Sequence, residues 1–168
     1  GAQIADALAT AHQAGVVHRD LKPHNIVVVP RSAGEISGAN AQSVDEAVSE
    51  STIIKLIDFG LSRAPDTIAG ESAEETVEGI ILGTPGYMAP EQVRGERVTP
   101  AADIFSLGCV LYEALYGKRA FDGRTKAEQF SATLNHHPEP DPECSCDDVG
   151  LADLIQECLE KDPLKRPS

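Results

Sequence analysis

The spacing of apolar residues predicts that most of the chain is helical. Ile4, Leu8 and Ala11 fall on one face of a helix spanning Gln3–Ala14, and Gly15 is typical of a helix end. The same spacing predicts three later helices, at Ala102–Tyr116, Lys126–Leu134 and Leu151–Leu159. Loops that contain proline and glycine separate these helices. A mainly helical unit is therefore expected.

Short runs of apolar and β-branched residues predict three strands, at Val16–His18, Ile26–Val29 and Ile53–Ile57. Between the last two lie the 23 residues of Pro30–Thr52, which are rich in Ser, Ala, Gly and acidic residues. Hairpin loops usually have about 2–5 residues. The segment 30–52 is therefore interpreted as a flexible insertion between two strands.

The composition is typical of a soluble globular domain, because 41% of the 168 residues are hydrophobic and 24% are charged. No segment contains the roughly 20 consecutive apolar residues needed to cross a bilayer. The first residues show no signal-peptide pattern. The chain starts at Gly1 inside a helical pattern, and we expect it to be part of a longer chain.

The formal net charge of −13 is concentrated in three predicted loops, at 30–52, 64–79 and 139–148. Nucleic-acid binding is disfavoured, because phosphate contacts need clustered Lys and Arg. Acidic runs of this kind are usually solvated loops.

The four cysteines indicate no disulfide framework. Cys109 and Cys158 lie in apolar helical patterns, where a thiol behaves as a small hydrophobic group. Cys144 and Cys146 lie near two histidines in an acidic loop, but their spacing fits no common zinc motif. A reducing, cytoplasmic environment is the favoured interpretation.

Three short motifs follow one another along the chain: H-R-D-L-K-P-H-N at 18–25, D-F-G at 58–60 and A-P-E at 89–91. In this order they resemble the signature set of the protein kinases. The resemblance extends over nearly the whole chain, from the helix before the first motif to Arg166. Lys22, Pro23 and the G-T-P-G-Y run at 83–87 resemble the serine/threonine branch, and the run 83–92 is most similar to eukaryotic-like kinases of bacteria.

The resemblance implies an α+β fold over residues 1–168: a partial kinase domain formed by the C-terminal lobe, mainly α-helical with short β-strands at the catalytic cleft. The N-terminal lobe is expected to be absent, because the chain has no glycine-rich loop and no strand Lys with its Glu partner. The implied reaction transfers the γ-phosphoryl group of ATP to Ser and Thr hydroxyls of proteins. The cofactors are ATP and Mg²⁺, with Mn²⁺ as a substitute.

The chain alone is expected to be inactive. Membrane anchoring, dimerisation and autophosphorylation of a longer parent chain stay open.

Phosphoryl transfer to a hydroxyl needs a proton acceptor, neutralisation of phosphate charge and oxygen ligands for the metal. By resemblance, Asp20 accepts the proton and Lys22 neutralises the γ-phosphate. Asn25 and Asp58 bind Mg²⁺ and, with Lys22, contact the nucleotide. Thr84 is expected to hydrogen-bond to Asp20 and Lys22 and to close the floor of the peptide site.

Other residues of the resemblance support the site. Val27 is expected to lie beneath the adenine ring. The architectural residues are His18, Phe59, Gly60, Glu91, Asp103 and Arg166. Asp103 would hydrogen-bond to the loop that contains Asp20, and Arg166 would pair with Glu91.

A regulatory phosphate is also implied. Arg19 and Arg63 would converge on the activation segment, where Thr76 is the first candidate acceptor and Thr67 and Ser72 are alternatives. Glu78 could instead provide a negative charge for the two arginines.

One departure concerns substrates. His24 occupies a position where kinases that prefer basic substrates commonly have Glu, whereas Glu113 matches a second acidic position that they use. The sequence therefore leaves open whether the substrates are basic.

Two other functions remain open at this point. Small-molecule kinases share an H-x-D-x-x-x-x-N loop, but they lack the A-P-E segment and the helix pattern around Asp103. A pseudokinase that serves as a binding scaffold usually lacks the base or the metal-binding Asp, whereas Asp20, Asn25 and Asp58 are all present here.

Overall fold

The structure is a computed structural model that describes residues 1–30, 52–59, 83–139 and 149–168. The helices are α1 (Ala2–Gln13), α2 (Pro90–Val93), α3 (Pro100–Tyr116), α4 (Lys126–Asn135) and α5 (Val149–Cys158). The strands are β1 (Ile26–Pro30) and β2 (Thr52–Leu56), and short 3-10 helices occur at Pro23–Asn25 and Pro163–Lys165. The predicted insertion, apart from its two end residues, and both Cys144 and Cys146 lie outside the described residues.

Helix α1 ends where its sequence predicts. Gly15 has a φ of 74°, a left-handed conformation that glycine adopts without steric cost. Its N–H donates to the His12 carbonyl at 2.9 Å, and the Val16 N–H donates to the Ala11 carbonyl at 2.9 Å. This pair of bonds satisfies the free carbonyls of the last helical turn.

The two strands pair antiparallel, with Ile26 opposite Leu56 and Pro30 opposite Thr52. Helix α1 is attached to β2 through the side chain of Gln3, which donates to the Thr52 carbonyl at 3.2 Å and accepts from the Ile54 N–H at 2.8 Å. The pairing confirms that the two apolar runs on either side of the acidic segment are neighbouring strands.

The prediction of a third strand at Val16–His18 is wrong, because these residues form no strand in the structure. The backbone N–H groups there have other acceptors. That of Val16 closes the end of α1, and that of His18 donates to a carboxylate oxygen of Asp103 at 2.8 Å. This apolar run therefore forms a connection in which the N–H groups of Val16 and His18 donate to a helix end and to a side chain.

Helix α3 is the centre of the larger core cluster. Its buried residues include Phe105, Cys109 and Tyr112, and the Phe105 ring stacks on the Phe121 ring at 5.4 Å between centroids. Helix α5 packs closely against α3 at Gly108, where an added Cβ would lie 2.8 Å from the Cys158 Cβ. Helix α3 ends at Gly117, which has a φ of 66°.

A second cluster of buried side chains, Ile4, Leu8, Leu21 and Leu107, joins α1 and α3 to the loop between α1 and β1. This cluster holds the loop 18–25 between the two helices and the sheet. The described part of the chain is thus helix-rich with one small sheet, as the sequence predicts. None of its helices is long and apolar enough to span a bilayer.

Candidate active site

The loop 18–25 is fixed by a buried carboxylate from α3. The backbone N–H groups of His18 and Arg19 donate to the two oxygens of Asp103, each at 2.8 Å. Asp103 is fully buried, and Arg19 has a left-handed φ of 66°. Because a non-glycine residue in this conformation costs roughly 1–3 kcal/mol, the charge-assisted bonds to Asp103 help to stabilise the turn before Asp20.

His12, near the end of α1, is a site residue that sequence reasoning missed. Its Nε2 lies 2.7 Å from an oxygen of Asp103 and completes the set of groups around that carboxylate. The available signal was indirect, since a buried Asp needs hydrogen-bond donors and His12 is the basic residue in the last turn of the preceding helix.

His18 links two segments of the site. The Asp20 N–H donates to His18 Nδ1 at 3.3 Å, so Nδ1 is the acceptor and Nε2 carries the proton. The Nε2–H group then donates to the Ile57 carbonyl at 3.1 Å. The Phe59 ring lies 4.6 Å from the imidazole, between centroids. The loop 18–25 is thereby connected to the segment that follows β2.

Asp20, Lys22 and Thr84 form a triangle of hydrogen bonds. Lys22 Nζ donates to one carboxylate oxygen of Asp20 at 2.6 Å and to Thr84 Oγ1 at 2.8 Å. Thr84 Oγ1 donates to the other oxygen of Asp20 at 2.8 Å. The Asp20 side chain is 8% exposed and that of Lys22 is 24% exposed. The triangle holds the carboxylate in one orientation while part of it stays open to solvent.

Asn25 and Asp58 are neighbours because the Ile57 N–H donates to the Asn25 carbonyl at 3.0 Å. The Asn25 side chain is buried, and its Nδ2 donates to the Asp20 carbonyl at 2.8 Å. This bond fixes the orientation of the Asn25 side-chain amide. Asp58 is exposed and has a left-handed φ of 67°. An amide oxygen and a carboxylate are ligands that suit Mg²⁺.

Exposed apolar side chains lie at the end of the sheet that adjoins Asn25 and Asp58. Val27 on β1 is 37% exposed, and Ile57 after β2 is 44% exposed. Large apolar side chains that stay exposed beside polar site residues are suited to contact a flat ligand.

The segment that contains the A-P-E motif is tied to the rest of the chain by two sets of bonds. Glu91 accepts two bonds from the Arg166 guanidinium, at 2.7 and 2.8 Å, and both side chains are buried. Gln92 accepts from the Ala89 N–H at 2.9 Å and donates to the Arg19 carbonyl at 2.8 Å. Gln92 was missed by sequence reasoning, although a Gln at the third position of a helix is a known capping signal.

Tyr87 connects the segment after Thr84 to α3. Its hydroxyl donates to Glu113 at 2.5 Å, and the Arg119 guanidinium lies 5.5 Å from the centre of its ring. Burial and the neighbouring Glu113 carboxylate raise the pKa of Tyr87 to about 12. The phenol therefore stays protonated at neutral pH. Tyr87 and Arg119 are further residues that sequence reasoning missed.

The whole chain, residues 1–168, matches the family model of the protein kinase domain. The chain belongs to the protein kinase domain family. Curated relatives include the serine/threonine-protein kinase pkn2 of Myxococcus xanthus, which is 33% identical over 168 residues and 98% of this chain. The kinase PknA of Mycobacterium tuberculosis is 36% identical over 98% of this chain, and PkaA of Streptomyces coelicolor is 37% identical over 99%.

The matched region makes up 18%, 32% and 26% of these three bacterial kinases, respectively. All three are named as serine/threonine kinases, which agrees with the branch that Lys22 and Pro23 indicate. Protein kinases in general use ATP and Mg²⁺.

Three of the predicted kinase site residues, Gly60, Arg63 and Thr76, lie outside the described residues. Arg19 lies within them, and its buried Nε atom has no hydrogen-bond partner in the described part of the chain.

Proposed function

We propose that this chain is the C-terminal lobe of a serine/threonine protein kinase that transfers the γ-phosphoryl group of ATP to Ser and Thr hydroxyls of proteins. The triangle of Asp20, Lys22 and Thr84 is the observation that carries the proposal. It combines a proton acceptor, a cation and an orienting hydroxyl within 2.8 Å of one another, and Asn25 and Asp58 lie beside it.

Asp20 orients the substrate hydroxyl and accepts its proton. Each of its oxygens accepts one hydrogen bond inside the chain, from Lys22 or from Thr84. A carboxylate oxygen can accept two, so lone pairs remain for the substrate. The two internal bonds hold the carboxylate in place, and a positioned acceptor of this kind contributes about 10²–10⁴-fold to a rate.

Lys22 serves the phosphate side of the reaction. Its ammonium group carries three N–H donors, of which Asp20 and Thr84 take two. The third is free to reach a phosphate oxygen. Thr84 couples Lys22 and Asp20, so that the cation and the base keep a constant separation.

Asn25 and Asp58 are the residues that would hold Mg²⁺, and Val27 would contact the adenine ring. Bound Mg²⁺ and ATP supply the transferable phosphoryl group and neutralise its charge. The chain contains no glycine-rich loop for the phosphates, so the other half of the nucleotide site belongs to a further lobe of a longer parent kinase.

A phosphate on Thr76 is the proposed regulatory signal, bound by Arg19 and Arg63. Support comes from Arg19, whose buried Nε has no hydrogen-bond partner among the described residues. A buried N–H group normally has a hydrogen-bond acceptor, and an anion in the activation segment would provide that acceptor.

Two substitutions in the parent kinase test the proposed roles. Asp20→Asn and Asp58→Asn should each abolish phosphoryl transfer to a protein substrate, with unchanged thermal unfolding. Asp58→Asn should also weaken Mg²⁺-dependent nucleotide binding, because it removes a metal ligand. Asp20→Asn should leave nucleotide affinity close to that of the wild type, because Asp20 contacts the hydroxyl.

Lys165→Gln changes an exposed residue that takes no part in the triangle and is the matched control. Turnover close to the wild type in Asp20→Asn or Asp58→Asn would refute the assignment of that residue.

A further inference from the structure

Basic residues are concentrated in the loop that follows α3. Residues 118–126 form the basic loop, which contains four basic residues and one acidic residue. The chain as a whole has a net charge of −13. All four basic side chains are exposed: Lys118, Arg119, Arg124 and Lys126. The sign of the local charge is thus opposite to that of the chain as a whole.

Arg119 of the basic loop lies against the segment that follows Thr84. A Cβ added to Gly86 would lie 3.9 Å from Nη1 of Arg119 and 3.2 Å from the Phe121 carbonyl. Two residues span at most about 7 Å, so Gly86 and Arg119 lie close to Thr84, which hydrogen-bonds to Asp20. A peptide placed for reaction at Asp20 would pass near this guanidinium.

Each acidic group around the basic loop accepts a hydrogen bond from a neighbouring N–H or O–H group. Glu113 accepts the hydroxyl of Tyr87 at 2.5 Å. Asp122 accepts the Gly123 N–H at 2.8 Å, and Glu128 accepts the Arg124 N–H at 2.6 Å. Within the described residues, no salt bridge involves Arg119, Arg124 or Lys126. No direct ion pair within the described part of the chain therefore neutralises these three positive charges.

The basic loop is held in one conformation. Gly123 packs so closely that an added Cβ would lie 2.7 Å from the Glu128 Cβ. The Gln129 side chain donates to the Gly123 carbonyl at 3.2 Å, and the Thr125 hydroxyl caps α4 by accepting from the Glu128 N–H at 3.2 Å. A fixed loop loses little conformational entropy when it binds a ligand, which favours specific recognition.

We propose that the basic loop selects protein substrates with acidic residues close to the phosphoacceptor, and that Arg119 is the specificity-determining residue. The inference rests on the proposed kinase function. Arginine binds carboxylates bidentately, and opposite charges across an interface speed association and exclude like-charged partners. An arginine-rich substrate would meet the like charge of Arg119, whose guanidinium lies beside the Tyr87 ring.

The chain itself contains a segment of this chemistry, which provides a probe. Residues 64–80 contain five acidic residues, no basic residue and three hydroxyl acceptors, Thr67, Ser72 and Thr76. A synthetic peptide with this sequence is the acidic substrate. Its matched control has each Asp replaced by Asn and each Glu by Gln, so that only the charge changes.

The experiment measures kcat/KM of the parent kinase for both peptides. We expect a ratio of about 10 in favour of the acidic peptide at low salt, falling as salt screens exposed charges. Arg119→Glu should lower the ratio to about 1 or below, and Arg119→Lys should retain part of it. Lys165→Glu makes the same change in net charge at an exposed site outside the basic loop and should keep the wild-type ratio.

Arg119 also contacts the Tyr87 ring, so a thermal unfolding curve accompanies each variant. If Arg119→Glu does not fold, the double variant Arg124→Glu/Lys126→Glu tests the inference in its place. We expect this double variant to lower the ratio of kcat/KM for the acidic peptide to kcat/KM for its control by about threefold. An equal kcat/KM for the two peptides in the wild type, or an unchanged ratio in the variants, would overturn the inference. A wild-type kinase that phosphorylates neither peptide and no protein substrate would instead refute the proposed function.

Discussion

Two residues of the candidate site, Arg19 and Asp58, have left-handed backbone conformations, with φ of 66° and 67°. Strained conformations of non-glycine residues persist only where the surroundings enforce them. For Arg19 the enforcing groups are identified, since Asp103 accepts its N–H and Gln92 donates to its carbonyl. Arg19 directly precedes Asp20, the proposed proton acceptor, and Asp58 is itself a proposed metal ligand. Strained backbone of this kind is common at active sites.

Lys161 allows a test of pH dependence at the scale of a residue. Burial lowers its pKa from 10.5 to about 8, although the ammonium lies 4.0 Å from the centre of the Phe121 ring, which favours the charged form. Its Nζ is buried and has no hydrogen-bond partner within the described residues. Below pH 8 both folded and unfolded states are charged, and the folded state bears the cost of burying the charge.

Between pH 8 and 10.5 the folded state releases this proton before the unfolded state does, so the contribution of Lys161 to stability rises with pH. Lys161→Met should raise the free energy of unfolding at pH 7 by up to about 1 kcal/mol, because partial exposure reduces the effect. The gain should shrink as the pH approaches 10. Urea unfolding of both proteins at pH 7 and 10 measures it, and a gain that grows with pH would contradict the prediction.

Thr76 is the residue on which the proposed phosphate switch depends. In the active parent kinase we expect phosphate on Thr76, and Thr76→Ala should lower activity, because Arg19 and Arg63 lose their shared anion. Phosphopeptide mass spectrometry and turnover measurements check both points, with Thr67→Ala as the matched control. An unmodified Thr76 together with full activity of Thr76→Ala would show that the switch lies elsewhere or that Glu78 replaces it.

At the scale of elements, α3 positions the site without contributing a reacting group. Its first turn supplies Asp103 to the loop 18–25, and its last turn supplies Glu113 to Tyr87. Both ends of one rigid helix therefore hold the two segments that meet at the triangle of Asp20, Lys22 and Thr84. This arrangement gives the buried carboxylate of Asp103 a structural role in holding the loop 18–25.

The ion pair of Glu91 and Arg166 joins α2 to the segment after α5. Arg166→Met should cost about 5 kcal/mol of unfolding free energy, because it leaves Glu91 buried and unpaired and also frees three backbone carbonyls that the guanidinium contacts. Glu91→Met should cost about 3 kcal/mol, since those carbonyls still hold the arginine. The double variant should cost no more than Arg166→Met alone.

Chemical unfolding of the three variants measures these differences. The control is Arg94→Met, which breaks an exposed pair with Glu96 at 3.8 Å and should change stability by less than about 1 kcal/mol. Additive costs in the double variant would show that the buried pair is not a coupled unit.

At the scale of the whole molecule, the described sheet exposes apolar side chains beside the candidate site. Val28 and Ile57 are 64% and 44% exposed at the sheet, and the sequence contains no glycine-rich loop of the kind that covers nucleotide phosphates in kinases. Exposed apolar side chains at a ligand cleft favour burial against another surface. The proposed further lobe of the parent kinase would cover them and complete the nucleotide site.

The purified 168-residue chain should therefore catalyse no ATP-dependent phosphorylation of a protein substrate, whereas the parent kinase should. It should also self-associate through the exposed apolar residues of the sheet. Radiolabelled phosphate transfer and light scattering measure the two effects side by side. Steady phosphorylation by the purified chain, abolished by Asp20→Asn, would contradict the prediction.

The sequence by itself determined four of the helices, the strand pair and the motif residues of the candidate site. Helical and strand periods are local properties, so α1, α3, α4 and the strands β1 and β2 lie within a few residues of their predicted bounds. The three kinase motifs are also contiguous runs of residues. A reader of the sequence can therefore name Asp20, Asn25 and Asp58 without knowing how they are arranged.

Only the tertiary structure decided which groups surround those residues. His12 and Asp103 are 91 positions apart in the sequence, too far for a local pattern to connect them. In the fold, the His12 Nε2 atom lies 2.7 Å from a carboxylate oxygen of Asp103. The apolar run Val16–His18 failed to form a strand because Asp103 and the end of α1 bind its N–H groups. The position of Arg119 against Gly86 and Tyr87 likewise depends on how α3 and the loop after it pack. Contacts between distant segments follow from packing of the core, which local periodicity does not encode.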